Sequence, residues 1–170
     1  MLLDVNASMQ PATAGDRARL EALMQLYAYD FSEILGMDVD NQGRFDPLPL
    51  DDYFRHPRSH AFFIRVGRRL AGFALVRQRS RLSGDENVSD LEEFFVMRKY
   101  RRRGVGERAA RWLFDRFRGR WEVREKAENR AAIAFWRRVI RRYTGKKLDE
   151  ILLDDKRWRG PVQRFDSRGC

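Results

Sequence analysis

Between residues 94 and 106 the chain reads Phe-Phe-Val-Met-Arg-Lys-Tyr-Arg-Arg-Arg-Gly-Val-Gly, and this run holds the residue types best suited to chemistry. An apolar, strand-like stretch ends at Met97. The cationic side chains Arg98, Lys99, Arg101, Arg102 and Arg103 follow, and Gly104 and Gly106 then open a helix-like segment. Together these residues describe an anion site. The first turn of a helix presents backbone N–H groups with no intrahelical partner, and the helix dipole adds partial positive charge. Glycine lets an anion approach that backbone, and arginine adds charge-assisted hydrogen bonds. A diphosphate fits. A tight turn with solvated arginines would use the same residues. A dinucleotide fingerprint fits less well, because Arg108 and Ala109 stand around the place of its third glycine.

The stretch before this run carries carboxylates. Val88 to Met97 alternates as a long strand, with Asp90, Glu92, Phe94 and Val96 on one face and Leu91, Glu93, Phe95 and Met97 on the other. A carboxylate buried beside Phe94 has its pKa raised and can take a proton from a nucleophile. The alternative for each is a salt bridge to one of the many arginines, and for Glu93 that is the preferred reading. His56 and His60, without clustered cysteines, make no metal site. There is no Ser-His-Asp pattern and no Gly-x-Ser-x-Gly elbow.

The elements that position these groups follow from periodicity. Asp16 caps a helix with Leu20, Leu23, Met24 and Tyr27 on one stripe. A short helix follows Leu50, with Tyr53 and Phe54 on its apolar side. Residues 60–66 and 70–77 form a hairpin about Gly67-Arg68-Arg69, and 79–87 is a polar loop. The helix opened by Gly104 ends near Gly119, a C-terminal cap. Residues 120–124 are a short strand, Asn129 caps another helix, and strands near 148–153 and 162–165 close the chain. Such alternation predicts an α/β fold, a mixed sheet with helices on its faces.

Composition sets the outer limits. The chain has 170 residues, 43% of them hydrophobic, which suits one domain with one core. Runs such as Ala61-Phe62-Phe63-Ile64 are far too short to span a bilayer. The start, Met1-Leu2-Leu3-Asp4-Val5, lacks the features of a signal peptide. The single cysteine, Cys170, allows no internal disulfide, and the expected location is cytoplasmic. The net charge of +10 attracts phosphates, acidic substrates or nucleic acid without choosing among them.

Two segments also resemble a known family. Arg101-x-x-Gly104-x-Gly106, with Val96 five residues earlier, resembles the pyrophosphate loop of the GNAT superfamily of acyl-CoA N-acyltransferases. Asn129-x-x-Ala132-x-x-Phe135-Trp136 resembles that family's motif of Asn, Ala and paired aromatics. The resemblance implies one GNAT-like domain over residues 1–170, with 88–140 as the cofactor-binding core. Its central sheet would be mixed and mostly antiparallel, with splayed central strands and helices on both faces. Acetyl-CoA would be the co-substrate and a primary amine the acceptor, in a ternary complex. Backbone N–H groups of Arg102, Arg103, Gly104, Val105, Gly106 and Glu107 would cradle the diphosphate. Val96, flanked by Phe95 and Met97, would pair with the pantetheine arm, and its N–H would polarise the thioester lying between the strands of Val96 and Val123. Asn129 would face pantetheine or structure its loop.

Glu92, and after it Asp90, match the positions of the family's general base. The tyrosine that protonates the departing thiolate is replaced by Phe135-Trp136, which pack in the core or on CoA. Tyr143, seven residues on, is the remaining candidate acid, or the thiolate leaves unaided. The acceptor region, roughly 27–58, carries Asp30, Glu33, Asp38, Asp40, Asp46, Asp51 and Asp52. That suggests a cationic acceptor such as a polyamine, an aminoglycoside or a peptide lysine, although loop acids are usually solvated. Two alternatives stand beside this reading. One is a non-catalytic CoA- or anion-binding module. The other is a nucleic-acid binder using Arg interleaved with Trp at 111–121 and 136–142. Both a monomer and a homodimer are compatible with the family.

Overall fold

A computed structural model of the chain describes residues 6–145 and 148–170. The reading of Met1–Val5 as lacking a leader lies outside these residues. In chain order the elements are β1 (Ala7–Pro11), α1 (Arg17–Leu35), α2 (Asp51–Arg55), β2 (Ser59–Val66), β3 (Arg69–Arg77), β4 (Val88–Val96), α3 (Val105–Arg116), β5 (Arg120–Arg124), α4 (Arg130–Thr144), β6 (Asp149–Asp154) and β7 (Arg159–Asp166). Short 3-10 turns precede α1 and follow β4, at Ala14–Asp16 and Arg98–Tyr100. The strands form one seven-stranded sheet in the order β1-β2-β3-β4-β5-β7-β6, flanked by helices. The sheet is mixed: β4 pairs with β5 in parallel, while β1/β2, β5/β7 and β6/β7 are antiparallel. The parallel register sets Val88–Leu91 against Arg120–Val123, and β4 itself runs on to Val96. Among the described residues no helix is long and apolar enough to cross a membrane.

The described residues pack as two compact units, one within Met1–Leu75 with Glu93–Val105 and the other within Val76–Glu92 with Gly106–Cys170. In the first, the predicted stripe of α1 buries Leu20, Leu23 and Met24 against Leu50, Tyr53, Phe63, Phe73 and Phe95. In the second, Phe114 of α3 is the hub, with its ring 5.1 Å from Trp121, 4.7 Å from Phe165 and 6.4 Å from Trp136. Burial of such side chains, each worth about 1.5–3 kcal/mol, is the main stabilising contribution in either unit.

Two elements differ from expectation. Strand β1 has no counterpart in the sequence reading. It is an edge strand of five residues, Ala-Ser-Met-Gln-Pro, that pairs only with β2 and lacks a clear apolar alternation. Helix α3 stops at Arg116, short of Gly119. Gly119 lies at φ +144°, its N–H donates to Ser167 Oγ at 2.9 Å, and its carbonyl accepts from the Ser167 N–H at 2.8 Å. It therefore leads into β5 instead of capping the helix.

Candidate functional site

In the first unit the site grows from the end of β4. Gly72 of β3 lies so close to Phe95 that a Cβ there would meet the Phe95 carbonyl oxygen at 1.8 Å. Only glycine fits, and the Met97 N–H then donates to the Ala71 carbonyl at 2.8 Å. These two contacts fix the strand end that holds Phe95, Val96 and Met97. Phe95 is also held by the rings of Tyr27 and Phe73, at 5.6 and 5.8 Å.

Beyond Met97 the 3-10 turn buries Tyr100, and the chain then takes two left-handed residues, Arg102 at φ +59° and Gly104 at φ +80°. A non-glycine residue in this region is uncommon and is held there by its surroundings. Nothing lies within 4 Å of where a Gly104 Cβ would project. Arg102, Arg103 and Gly104 are exposed, while Val105 is fully buried and anchors the start of α3. Exposed cations therefore precede a helix N-terminus whose backbone is open to close approach.

The basic residues divide into two sets. Arg101 turns back on the strand: its Nε donates to the Val96 carbonyl at 2.6 Å, and its guanidinium sits 5.8 Å from the Phe95 ring centre. Its Nη2 pairs with Asp30 of α1, and Arg98 Nε pairs with the other oxygen of Asp30 at 2.9 Å. Asp30 is thus tied to the turn, and other acids of the 27–58 stretch also have internal partners. Asp51 pairs with Arg17, and Asp40 accepts from the N–H groups of Gln42 and Arg44. Glu93, for which an arginine salt bridge was the expected partner, accepts from the Tyr27 hydroxyl at 2.6 Å. Burial, followed by the Glu93 charge, raises the pKa of that phenol well above its usual value.

The second unit carries the remaining candidates. Asp90 is fully buried, accepting from Arg124 Nη2 at 2.7 Å and from the Arg81 N–H at 2.9 Å. Burial pushes its carboxyl above the usual range, and Arg124 opposes that. Glu92 pairs with Arg77 Nε at 3.1 Å, and its side chain keeps 10% exposure. Glu107, on the first turn of α3, accepts from Arg111 and Arg142. Asn129 caps α4, its Oδ1 accepting from the Ala132 N–H at 3.1 Å. Trp136 is buried, with Phe135 edge-on at 4.9 Å. The Tyr143 hydroxyl donates to Asp115 at 2.7 Å, its ring lies 5.1 Å from Phe114, and burial together with Asp115 raises its pKa.

One residue was not singled out in the sequence. Glu125, just past β5, is 4% exposed, and neither carboxyl oxygen has a hydrogen-bond partner among the described residues. Burial, with the nearby Glu150 charge, raises its pKa to about 9. In sequence it sits in Arg-Glu-Lys, which reads as a solvated charge run. It is enclosed by tertiary structure alone: its N–H donates to the Pro161 carbonyl and its own carbonyl accepts from Trp158 Nε1 at 3.1 Å. Among the described residues no group of His, Cys, Asp or Glu could hold a metal ion.

Comparison with known proteins agrees with this architecture. Residues 20–140 match the acetyltransferase (GNAT) family. None of the curated proteins matches this chain in sequence. Among solved structures, an acetyltransferase from Thermus thermophilus is 16% identical and superposes with a TM-score of 0.66, covering 97% of this chain and 98% of that one. A GNAT-family acetyltransferase from Staphylococcus aureus is 12% identical with a TM-score of 0.62, over 95% and 99% of the two chains. The spermidine N-acetyltransferase of Vibrio cholerae, solved with CoA and spermine, is 9% identical with a TM-score of 0.62, over 93% and 92%.

Proposed function

The chain belongs to the acetyltransferase (GNAT) family, and we propose that it transfers an acetyl group from acetyl-CoA to a primary amine by direct attack in a ternary complex. The observation that carries this reading is the turn between β4 and α3. Left-handed Arg102 and Gly104, with open space at the Gly104 Cα, present the amides from Arg102 to Glu107 to a diphosphate. The exposed side chains of Arg102 and Arg103 supply its counter-charge, because Arg101 is engaged with Val96 and Asp30. Val96, held between Phe95 and Met97, offers its backbone to the pantetheine arm.

Acetyl-CoA supplies an activated thioester, and what the protein must add is a neutral amine. An ammonium has no free electron pair, so a carboxylate must take its proton. Glu92 suits this better than Asp90. Glu92 keeps some exposure and is oriented by Arg77, whereas both oxygens of Asp90 are held by Arg124 and the Arg81 N–H. Tyr143 donates to Asp115, so in this reading the leaving thiolate takes its proton from water. A small polyamine is the favoured acceptor class, in keeping with the spermine named for the Vibrio cholerae structure. The single, exposed Cys170 suits a cytoplasmic setting.

The test is calorimetric titration with acetyl-CoA, followed by an acceptor screen. Wild type binds in the micromolar range and the double variant Arg101→Ala, Gly104→Asp does not. Glu92→Gln keeps acetyl-CoA binding while kcat falls by about 100-fold, the lower end for a lost general base. Absence of binding by wild type at moderate salt returns the turn to a structural role.

A further inference from the structure

The residue that opens the glycine turn does not point outward. Arg101 crosses back over its own strand, donating from Nε to the carbonyl of Val96 and resting on the Phe95 ring. A long, flexible side chain loses rotamer freedom when held in one geometry, and a single hydrogen bond to a backbone carbonyl is weak compensation. A second anchor is present. Asp30 of α1 takes the far edge of the same guanidinium through one oxygen and Arg98 through the other. The Asp30 side chain is 15% exposed, while Arg98 and Arg101 are 68% and 42% exposed. A largely buried carboxylate therefore clamps the first residue of the 3-10 turn Arg98–Tyr100 and the residue just past it, Arg101, from a helix 68 and 71 residues away in sequence.

We propose that Asp30 is a positioning residue for the acyl donor: by holding Arg101 on the Val96 carbonyl it fixes the turn whose amides receive the diphosphate. This rests on the acetyl-CoA reading above. The geometry gives each participant a part. Val96 ends the strand, Arg101 folds the chain back on it, and Arg102 and Gly104 then take their left-handed conformations only three residues or fewer beyond a fixed point. Charge makes the arrangement specific. Asp30 faces two guanidinium groups in the first unit, so replacing it with a neutral side chain removes a charge-assisted pair and leaves Arg101 with the Val96 carbonyl and the Phe95 ring. Asn keeps the size and part of the hydrogen bonding, and Glu moves the carboxylate outward by one methylene.

The experiment compares wild type, Asp30→Asn, Asp30→Ala, Arg101→Lys and the double variant Asp30→Asn, Arg101→Lys. Two readouts are used, amide hydrogen exchange of residues 96–106 without ligand and calorimetric titration with CoA. Lysine cannot reach the carbonyl and the carboxylate with one planar group. The expected result is faster exchange in the turn for Asp30→Asn, confined to that segment, with about a tenfold rise in the CoA Kd. Asp30→Ala gives a larger rise, and the double variant is no worse than Arg101→Lys alone, because the two residues act as one device. Unchanged turn exchange in Asp30→Asn overturns the proposal, as does unchanged or tighter CoA binding. Exchange that rises throughout the unit also overturns it, because Asp30 would then be a general stabiliser. If wild type binds no CoA, the acyltransferase reading fails, and the exchange data still decide whether Asp30 braces the turn.

Discussion

Helices α3 and α4 begin in opposite ways. The first turn of α4 is closed by the chain itself: Asn129 accepts from the Ala132 N–H, as an N-cap of the usual kind does. The approach to α3 is Arg98-Lys99-Tyr100-Arg101-Arg102-Arg103-Gly104, with no Ser, Thr, Asp or Asn to serve as a cap. In place of a cap it offers two left-handed residues and exposed guanidinium groups. Both helices have the same orphan N–H groups. At α4 a side chain takes one of them, whereas the approach to α3 has no capping residue and stands beside exposed cations, which under the proposed function leaves its amides for a diphosphate. The difference teaches that two segments resembling one family can start their helices by different devices, a capping side chain at α4 and left-handed backbone before α3.

The carboxylates repeat this contrast, and breaking it there gives the largest expected effect. Asp90 and Arg124 form an ion pair with side chains 0% and 3% exposed. Removing one partner leaves a buried charge with no compensation, which costs about 3–5 kcal/mol. Asp90→Ala should therefore lower the unfolding free energy by that amount in urea titration. Pairing Asp90→Leu with Arg124→Met should recover most of it. A drop below about 1 kcal/mol for Asp90→Ala, the scale of an exposed pair, would move Asp90 to the open group with Glu92. Gly104→Asp comes next and addresses the open helix start. A side chain at φ +80° strains the turn, and its charge opposes a diphosphate. Acetyl-CoA affinity should fall about 100-fold, equivalent to about 2.7 kcal/mol, with urea stability changing by about 1 kcal/mol.

Much of this was legible before the fold was known, and the reasons are local. The stripe of α1, the hairpin about Gly67 and the Asn129 cap depend on residues within a few positions of each other, and the structure has them where periodicity placed them. The seven-residue spacing of Tyr143 from Trp136 carried less information. It could not reveal that the hydroxyl meets Asp115 on α3, because that contact joins segments 28 residues apart. Strand β1 and the contact of Tyr27 with Glu93 were missed for the same reason, since each is set by a distant chain segment. The side chain of Arg101 is the instructive case. Its position in the motif was readable, whereas its engagement with Val96 and Asp30 depends on how α1 meets the turn.

Glu125 sharpens the contrast through pH. Its carboxyl is enclosed like that of Asp90, but among the described residues neither oxygen accepts a hydrogen bond. Between pH 4.5 and about 9 the folded chain keeps a proton that the unfolded chain has released. Stability from this group therefore falls as pH rises through that window, by at most about 1.4 kcal/mol per unit. Glu125→Gln keeps the neutral shape and should flatten the decline, so its melting temperature at pH 8.5 should exceed that of wild type while the two converge near pH 5. Parallel curves for the two proteins would mean that Glu125 is already ionised in the fold.

Asn129→Ala has the smallest expected effect and tests the comparison most directly. If Asn129 serves the helix, its loss should cost about 1 kcal/mol of stability, the usual value for an N-cap, and shift the melting temperature by a few degrees. Acetyl-CoA affinity should then change by less than about threefold, because the amides it satisfies belong to α4 alone. Asp, which caps as well as Asn does, should restore the stability. A large loss of acetyl-CoA binding at unchanged melting temperature would reverse the assignment: Asn129 would face the ligand, and the two helix starts would both be parts of the binding site.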